Sequence, residues 1–156
     1  MIHNKTVAVT PTIDTDAYTA NDVVGGLMTF AFGGVGGSGS IRSITIADDD
    51  DEKAAFTLYI FNAAPSTIAD DAAFAPTIAD LKKLVTTVLV EAGDYATVNS
   101  NAYAILGGHE DLATKNMDIP YASADGNLYM YAVCTATPTY TAATDLTFTI
   151  TARIDD

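Results

Sequence analysis

Over residues 145–154 apolar and polar positions alternate strictly. Leu146, Phe148, Ile150, Ala152 and Ile154 face one way, and Thr147, Thr149, Thr151 and Arg153 face the other. A two-residue period predicts a strand with one buried face. Shorter or weaker strand signals recur at 27–32, 41–47, 85–91 and 103–106, while residues 95–98 only continue the chain beyond a turn at Gly93-Asp94 and 119–121 are short and extended. Residues 6–13 also alternate, with Pro11 near the middle of the predicted strand, which suits an edge or a bend. Residues 55–62 are apolar on both faces and predict a central strand. In the predicted strand 128–135, Leu128, Met130, Ala132 and Cys134 share one face, and Tyr129 and Tyr131 share the other. Both faces need cover. The pattern leaves open whether the tyrosines meet the chain's own core or another subunit.

Turn chemistry separates these runs. Residues 14–22, 48–53, 62–66 and 123–127 are rich in Asp, Asn, Gly, Pro and Ser, which set turns through backbone hydrogen bonds or unusual dihedrals. One helix is predicted near residues 78–84. Thr77 can cap it, Asp80 lies in its first turn, and Ile78, Leu81 and Leu84 recur on one side. No βαβ alternation and no internal repeat is present. The expected fold is an all-β antiparallel sandwich, jelly-roll-like, of about eight strands, with strand order undetermined. Residues 1–5 are expected to form a flexible N-terminal arm and 6–156 a single domain.

The 156 residues suit one domain that folds without disulfides or metal. Twenty acidic residues against seven basic give a net charge of −13, with Lys82-Lys83 the only basic pair. That balance argues against nucleic acid and anionic membranes as partners. No run approaches the ~20 apolar residues of a membrane helix, and no export signal is read at 1–10. Cys134 is the single cysteine, so no internal disulfide can form. Its apolar surroundings predict a buried structural residue and not a nucleophile.

Four features invite a chemical reading. Gly34, Gly36 and Gly39 fit G-x-G-x-x-G, but a dinucleotide site needs a helix next, and residues 40–46 predict a strand. The run Asp48–Glu52 departs from a calcium-binding loop, with Lys53 and Tyr59 where Gly and Glu are required. It and the cluster of Asp14, Asp16 and Asp22 are expected to set turns, and calcium binding at 14–22 and 48–52 stays open. His109-Glu110-Asp111 places an imidazole beside acids, but catalysis would also require a positioned nucleophile. Zinc would have to gather His3, His109 and Cys134. No catalytic, cofactor-binding or metal residues are therefore expected, and no cofactor.

A longer series of residues carries a resemblance. It begins with Asp16-Ala17-Tyr18, Asp22-Val23-Val24-Gly25-Gly26 and Gly36-Gly37-Ser38-Gly39-Ser40-Ile41. It continues with Leu58-Tyr59-Ile60-Phe61-Asn62, Pro65-Ser66, Ala69-Asp70-Asp71-Ala72-Ala73-Phe74 and Ala79-Asp80-Leu81. It ends with Thr137-Pro138-Thr139-Tyr140 and Asp145-Leu146-Thr147. In this order, over nearly the whole chain, the series resembles a family of small virion structural proteins of tailed phages. Residues 109–121 carry no part of it. The resemblance implies a non-enzymatic capsid decoration, or cement, protein made in the host cytoplasm. It would bind the major capsid protein on the outer head shell and self-associate as a trimer or dimer. The alternatives are another virion component of the tail or head–tail junction, or a carbohydrate- or cell-surface-binding module.

Overall fold

The computed structural model describes residues 2–33, 36–107 and 117–155. Ten strands run through them: β1 (Ile2–Val9), β2 (Val23–Ala31), β3 (Ser38–Asp48), β4 (Phe56–Phe61), β5 (Leu84–Val90), β6 (Tyr95–Val98), β7 (Asn101–Leu106), β8 (Ile119–Ala122), β9 (Asn127–Cys134) and β10 (Leu146–Asp155). One helical turn, α1 (Ile78–Leu81), precedes β5, and a 3-10 turn, Ala92–Asp94, follows it. All strand pairs are antiparallel. One sheet runs β1-β10-β3-β7-β6 and the other β2-β9-β4-β5. The chain crosses between sheets from β1 to β2, β2 to β3, β3 to β4, β5 to β6, β8 to β9 and β9 to β10. Set β6 and β8 aside, and this is the double Greek key of a jelly roll. The long β3 hosts two partners on one edge: β7 pairs with Ile44–Asp48, and β8 pairs with Ser38–Ile41.

The alternation read in residues 145–154 is the burial pattern of β10, whose apolar residues from Leu146 to Ile154 are buried one after the other. They meet the inner face of the second sheet, for example where Phe148 and Phe56 lie edge-to-face at 6.0 Å. Phe30, Leu58, Ile60 and Met130 come from the second sheet, Ile44, Ile46 and Ile150 from the first, and all are fully buried in one cluster.

Four local expectations change. The first strand runs Ile2–Val9, not 6–13, and Pro11 stands beyond it. Residues 2–5 are therefore not a free arm, because they pair with Asp155–Ala152 on the edge of β10. Buried Pro11 instead packs against Gly25, where a Cβ would meet its ring carbon at 2.5 Å and where φ is +84°. Only glycine accommodates both conditions.

The strand count rises from about eight to ten because β6 and β8 are short additions to the first sheet. The helix shrinks to one turn, and its expected apolar side does not form. Ile78 is 72% exposed, and Leu84 has already entered β5. The inward residue is Asp80, only 3% exposed, whose carboxylate accepts from the backbone and hydroxyl of both Ser66 and Thr77. Finally, on the described sides of the glycine-rich connection between β2 and β3, Phe32 and Gly33 donate to the Gly126 carbonyl, and Gly36 donates to the Ala124 carbonyl.

Candidate functional site

The acidic residues are scattered through the sequence, yet the jelly-roll topology gathers most of them. The β1–β2, β3–β4, β5–β6 and β9–β10 connections meet at one end of the sandwich. Ile13 donates to the Ala143 carbonyl, Tyr18 to Pro138, and Asp49 to Asp145. The Tyr95 hydroxyl donates to the Ala54 carbonyl at 2.8 Å. The first of these connections brings Asp14, Asp16 and Asp22, the second Asp48–Glu52, the third Glu91 and Asp94, and the fourth Asp145. Asp70 and Asp71 reach the same end because Asp71 donates to Val23, and Asp70 accepts from Gly25 at 2.6 Å. Among the described residues, thirteen acids thus share one pole with a single base, Lys53. Among the remaining described residues, four acids (Asp80, Asp118, Asp125, Asp155) face five bases (Lys5, Arg42, Lys82, Lys83, Arg153), so the rest of the body is close to neutral.

Most of these carboxylates tie loops. Asp48 is buried and accepts from the backbone of Asp50 and Lys53 at 3.0 and 2.9 Å. Burial pushes its carboxyl above the ordinary aspartate range. Asp145 accepts from Thr141 and Ala142, Asp50 from Thr141, and Glu52 from Thr139, so the second loop is laced to the fourth. Tyr18 donates to Asp70 at 2.7 Å while accepting from Asp14 N–H at 2.7 Å, and burial raises its hydroxyl pKa. Asp71 is held above the usual range by local desolvation and then by the like charges of Asp22, Asp14, Asp70 and Asp16. Among the described residues no group of three or more His, Cys, Asp or Glu is arranged to hold a metal ion.

An open groove of 240 Å³ lies at this pole between Glu52, Lys53, Ala54, Ala92 and Pro138. It falls below the ~300–1,000 Å³ of small-molecule sites. Cys134 is fully buried, donates its thiol to the Thr19 carbonyl at 3.0 Å, and has its pKa raised by burial, which suits an inert core residue. Gly36 precedes β3 and Gly39 lies within it, so a strand and not a helix follows the glycines. Gly34 and His109-Glu110-Asp111 lie outside the described residues. His3 stands on β1, in register with Ile154.

The outward tyrosines of β9 find their cover within the chain. The connection from β4 to β5 crosses the outside of the second sheet, and Ile68 and Phe74 pack on Val23, Phe61, Tyr129, Tyr131 and Val133. Phe74 lies 4.4 Å from the Tyr59 ring and 5.6 Å from that of Tyr131. The Tyr131 hydroxyl donates to the Ser66 carbonyl at 2.5 Å and accepts from Ile68 N–H at 2.8 Å. Nothing in the local sequence of residues 62–77 announces this role.

The outer face of the first sheet has no such cover from the described residues. Its cross-strand rows read Thr147, Ala47, Tyr103 and Ala96, then Ala8, Thr149, Thr45 and Ile105, then Thr6, Thr151 and Ser43. No charge stands in these rows. Val98, Tyr103 and Ile105 are 57%, 41% and 39% exposed. Among the described residues of this face, charges return at the end away from the acidic pole, where Arg42 pairs with Asp118 at 3.1 Å and Arg153 stands 3.8 Å from Asp155. Comparison of the chain with protein-family models, curated proteins and solved structures finds no match.

Proposed function

We propose that this protein is a non-catalytic structural component of a tailed-phage virion, a decoration protein that binds the major capsid protein on the outer head shell. The observation that carries the reading is the polarity of the sandwich. Most acids tie loops at one pole, and the rest of the body, close to neutral, remains for adhesion. A carboxylate that accepts two or three backbone N–H bonds is committed to holding its loop. The pole keeps its negative charge toward solvent, which favours solubility at the high concentrations of particle assembly. Jelly rolls recur in viral capsid proteins, an analogy at the level of fold. The sequence resemblance points the same way. Affinity on a symmetric shell would come from many weak contacts repeated over the surface.

The test is quantitative mass spectrometry of purified mature particles. The expected result is this chain at a fixed high copy number relative to the major capsid protein, released without loss of DNA. Particles devoid of the chain would overturn the proposal. A low copy number confined to tail fractions would move it to the tail or head–tail junction. The lectin alternative draws on the same architecture, which also serves carbohydrate-binding domains, and predicts retention on immobilised glycans.

A further inference from the structure

We infer that the outer face of the β1-β10-β3-β7-β6 sheet is the contact surface for a second copy of this chain, with the acidic poles of the two copies pointing in opposite directions. The inference rests on the sheet face and the placement of charge, and it stands whether or not the chain decorates a capsid.

The first support is electrostatic. Two bodies of net charge −13 repel at every contact that brings acidic poles together. Screening acts over ~8 Å at physiological salt, so only contacts away from the pole escape the repulsion. The threonine, alanine and tyrosine rows of this face carry no charge, and two of them can meet without burying an unpaired carboxylate. Beyond them Arg42 and Arg153 are each about half exposed, with side chains 43% accessible. A two-fold axis across the strands lays this charge-balanced end, where Arg42 and Arg153 stand beside Asp118 and Asp155, over the partner's acidic end. An axis along the strands would instead put acidic pole on acidic pole. Charge therefore selects the first arrangement.

The second support is area. Five strands spaced ~4.8 Å apart and averaging ~25 Å in length present ~600 Å². Two such faces reach ~1,200 Å², the lower edge of stable interfaces. The exposed Tyr103 and Ile105 supply the apolar anchors that an uncharged threonine surface lacks. The same patch in both copies makes the contact isologous and closed.

The test is sedimentation velocity of the purified chain over micromolar concentrations, with circular dichroism and thermal melts to show that each variant folds. The wild type is expected to equilibrate between monomer and dimer. Tyr103→Glu and Ile105→Glu, both at exposed positions, are expected to abolish the dimer while retaining the melt. Arg153→Glu is expected to raise the dimer dissociation constant at least ~10-fold, because it sets a new acid over the partner's acidic pole. A wild type that stays monomeric at high micromolar concentration overturns the inference. So does a dimer that survives both glutamate substitutions. A dimer indifferent to Arg153→Glu refutes the opposed arrangement. Particle composition plays no part in these readouts, so failure here and failure of the virion assignment are separable.

Discussion

Tyr131 and Tyr140 form a matched pair in which burial is constant and hydrogen bonding differs. Each is 1% exposed. The Tyr131 hydroxyl bridges the Ser66 carbonyl and the Ile68 N–H, whereas the Tyr140 hydroxyl is buried with no partner among the described residues. Replacing tyrosine by phenylalanine removes one oxygen and preserves the ring. At Tyr131 this deletes two hydrogen bonds worth ~1 kcal/mol each, so Tyr131→Phe should cost ~2 kcal/mol. For a chain of this length that lowers Tm by ~4–8 °C. At Tyr140 the same change deletes nothing and relieves a buried polar atom. Tyr140→Phe should therefore be neutral or stabilise by up to ~1 kcal/mol. Thermal and urea unfolding of both variants measures the difference. Hydrogen exchange should show faster opening of residues 62–77 in Tyr131→Phe alone, because its two bonds anchor that segment over the second sheet. Equal losses from both variants would refute the reasoning, as would an unchanged exchange rate at Ser66–Ile68 in Tyr131→Phe.

Three further outcomes follow from individual contacts. At Gly39 a Cβ would stand 2.5 Å from the Arg153 carbonyl and 2.9 Å from the Tyr121 hydroxyl, so Gly39→Ala should destabilise by ~1–3 kcal/mol through overpacking where β3 meets β10, measured by urea unfolding. Asp80 is held down to a pKa of about 2, chiefly by the Ser66 backbone N–H and further by Thr77. A depressed acid stabilises the fold above its unfolded pKa and loses that contribution as pH falls to the folded value. Wild-type Tm should therefore drop between pH 4 and 2 more steeply than that of Asp80→Asn, recorded by thermal melts across that range. Cys134 should resist a thiol reagent in the native protein and react only at the rate of unfolding, which a denaturant titration of labelling checks.

Periodicity made the strands legible because a two-residue alternation is a local property of the chain. The faces of β10 and β9 could be read residue by residue for that reason. The limits of reading are equally physical. Ile78 and Leu81 have helical spacing, yet the turn they belong to is anchored by the carboxylate of Asp80, and they remain exposed. Helical spacing identifies a stripe but not what lies against it. Residues 2–5 carry too little apolar character to announce a strand, and only the exposed edge of β10 recruits them. Likewise, the cover for Tyr131 comes from Ser66, Ile68 and Phe74, more than 55 residues upstream.

By itself the sequence determined an all-β chain, the inward and outward sides of its clearest strands, the turn at residues 123–127 and a large negative charge. Tertiary structure alone decided the order β1-β10-β3-β7 against β2-β9-β4-β5, and with it the fate of that charge. Each acidic loop is short and unremarkable where it stands. Their convergence at one pole, from Asp14 to Asp145, depends on which strand ends the two sheets bring together. Pairing between distant strands is settled by packing over the whole core, which local alternation cannot encode.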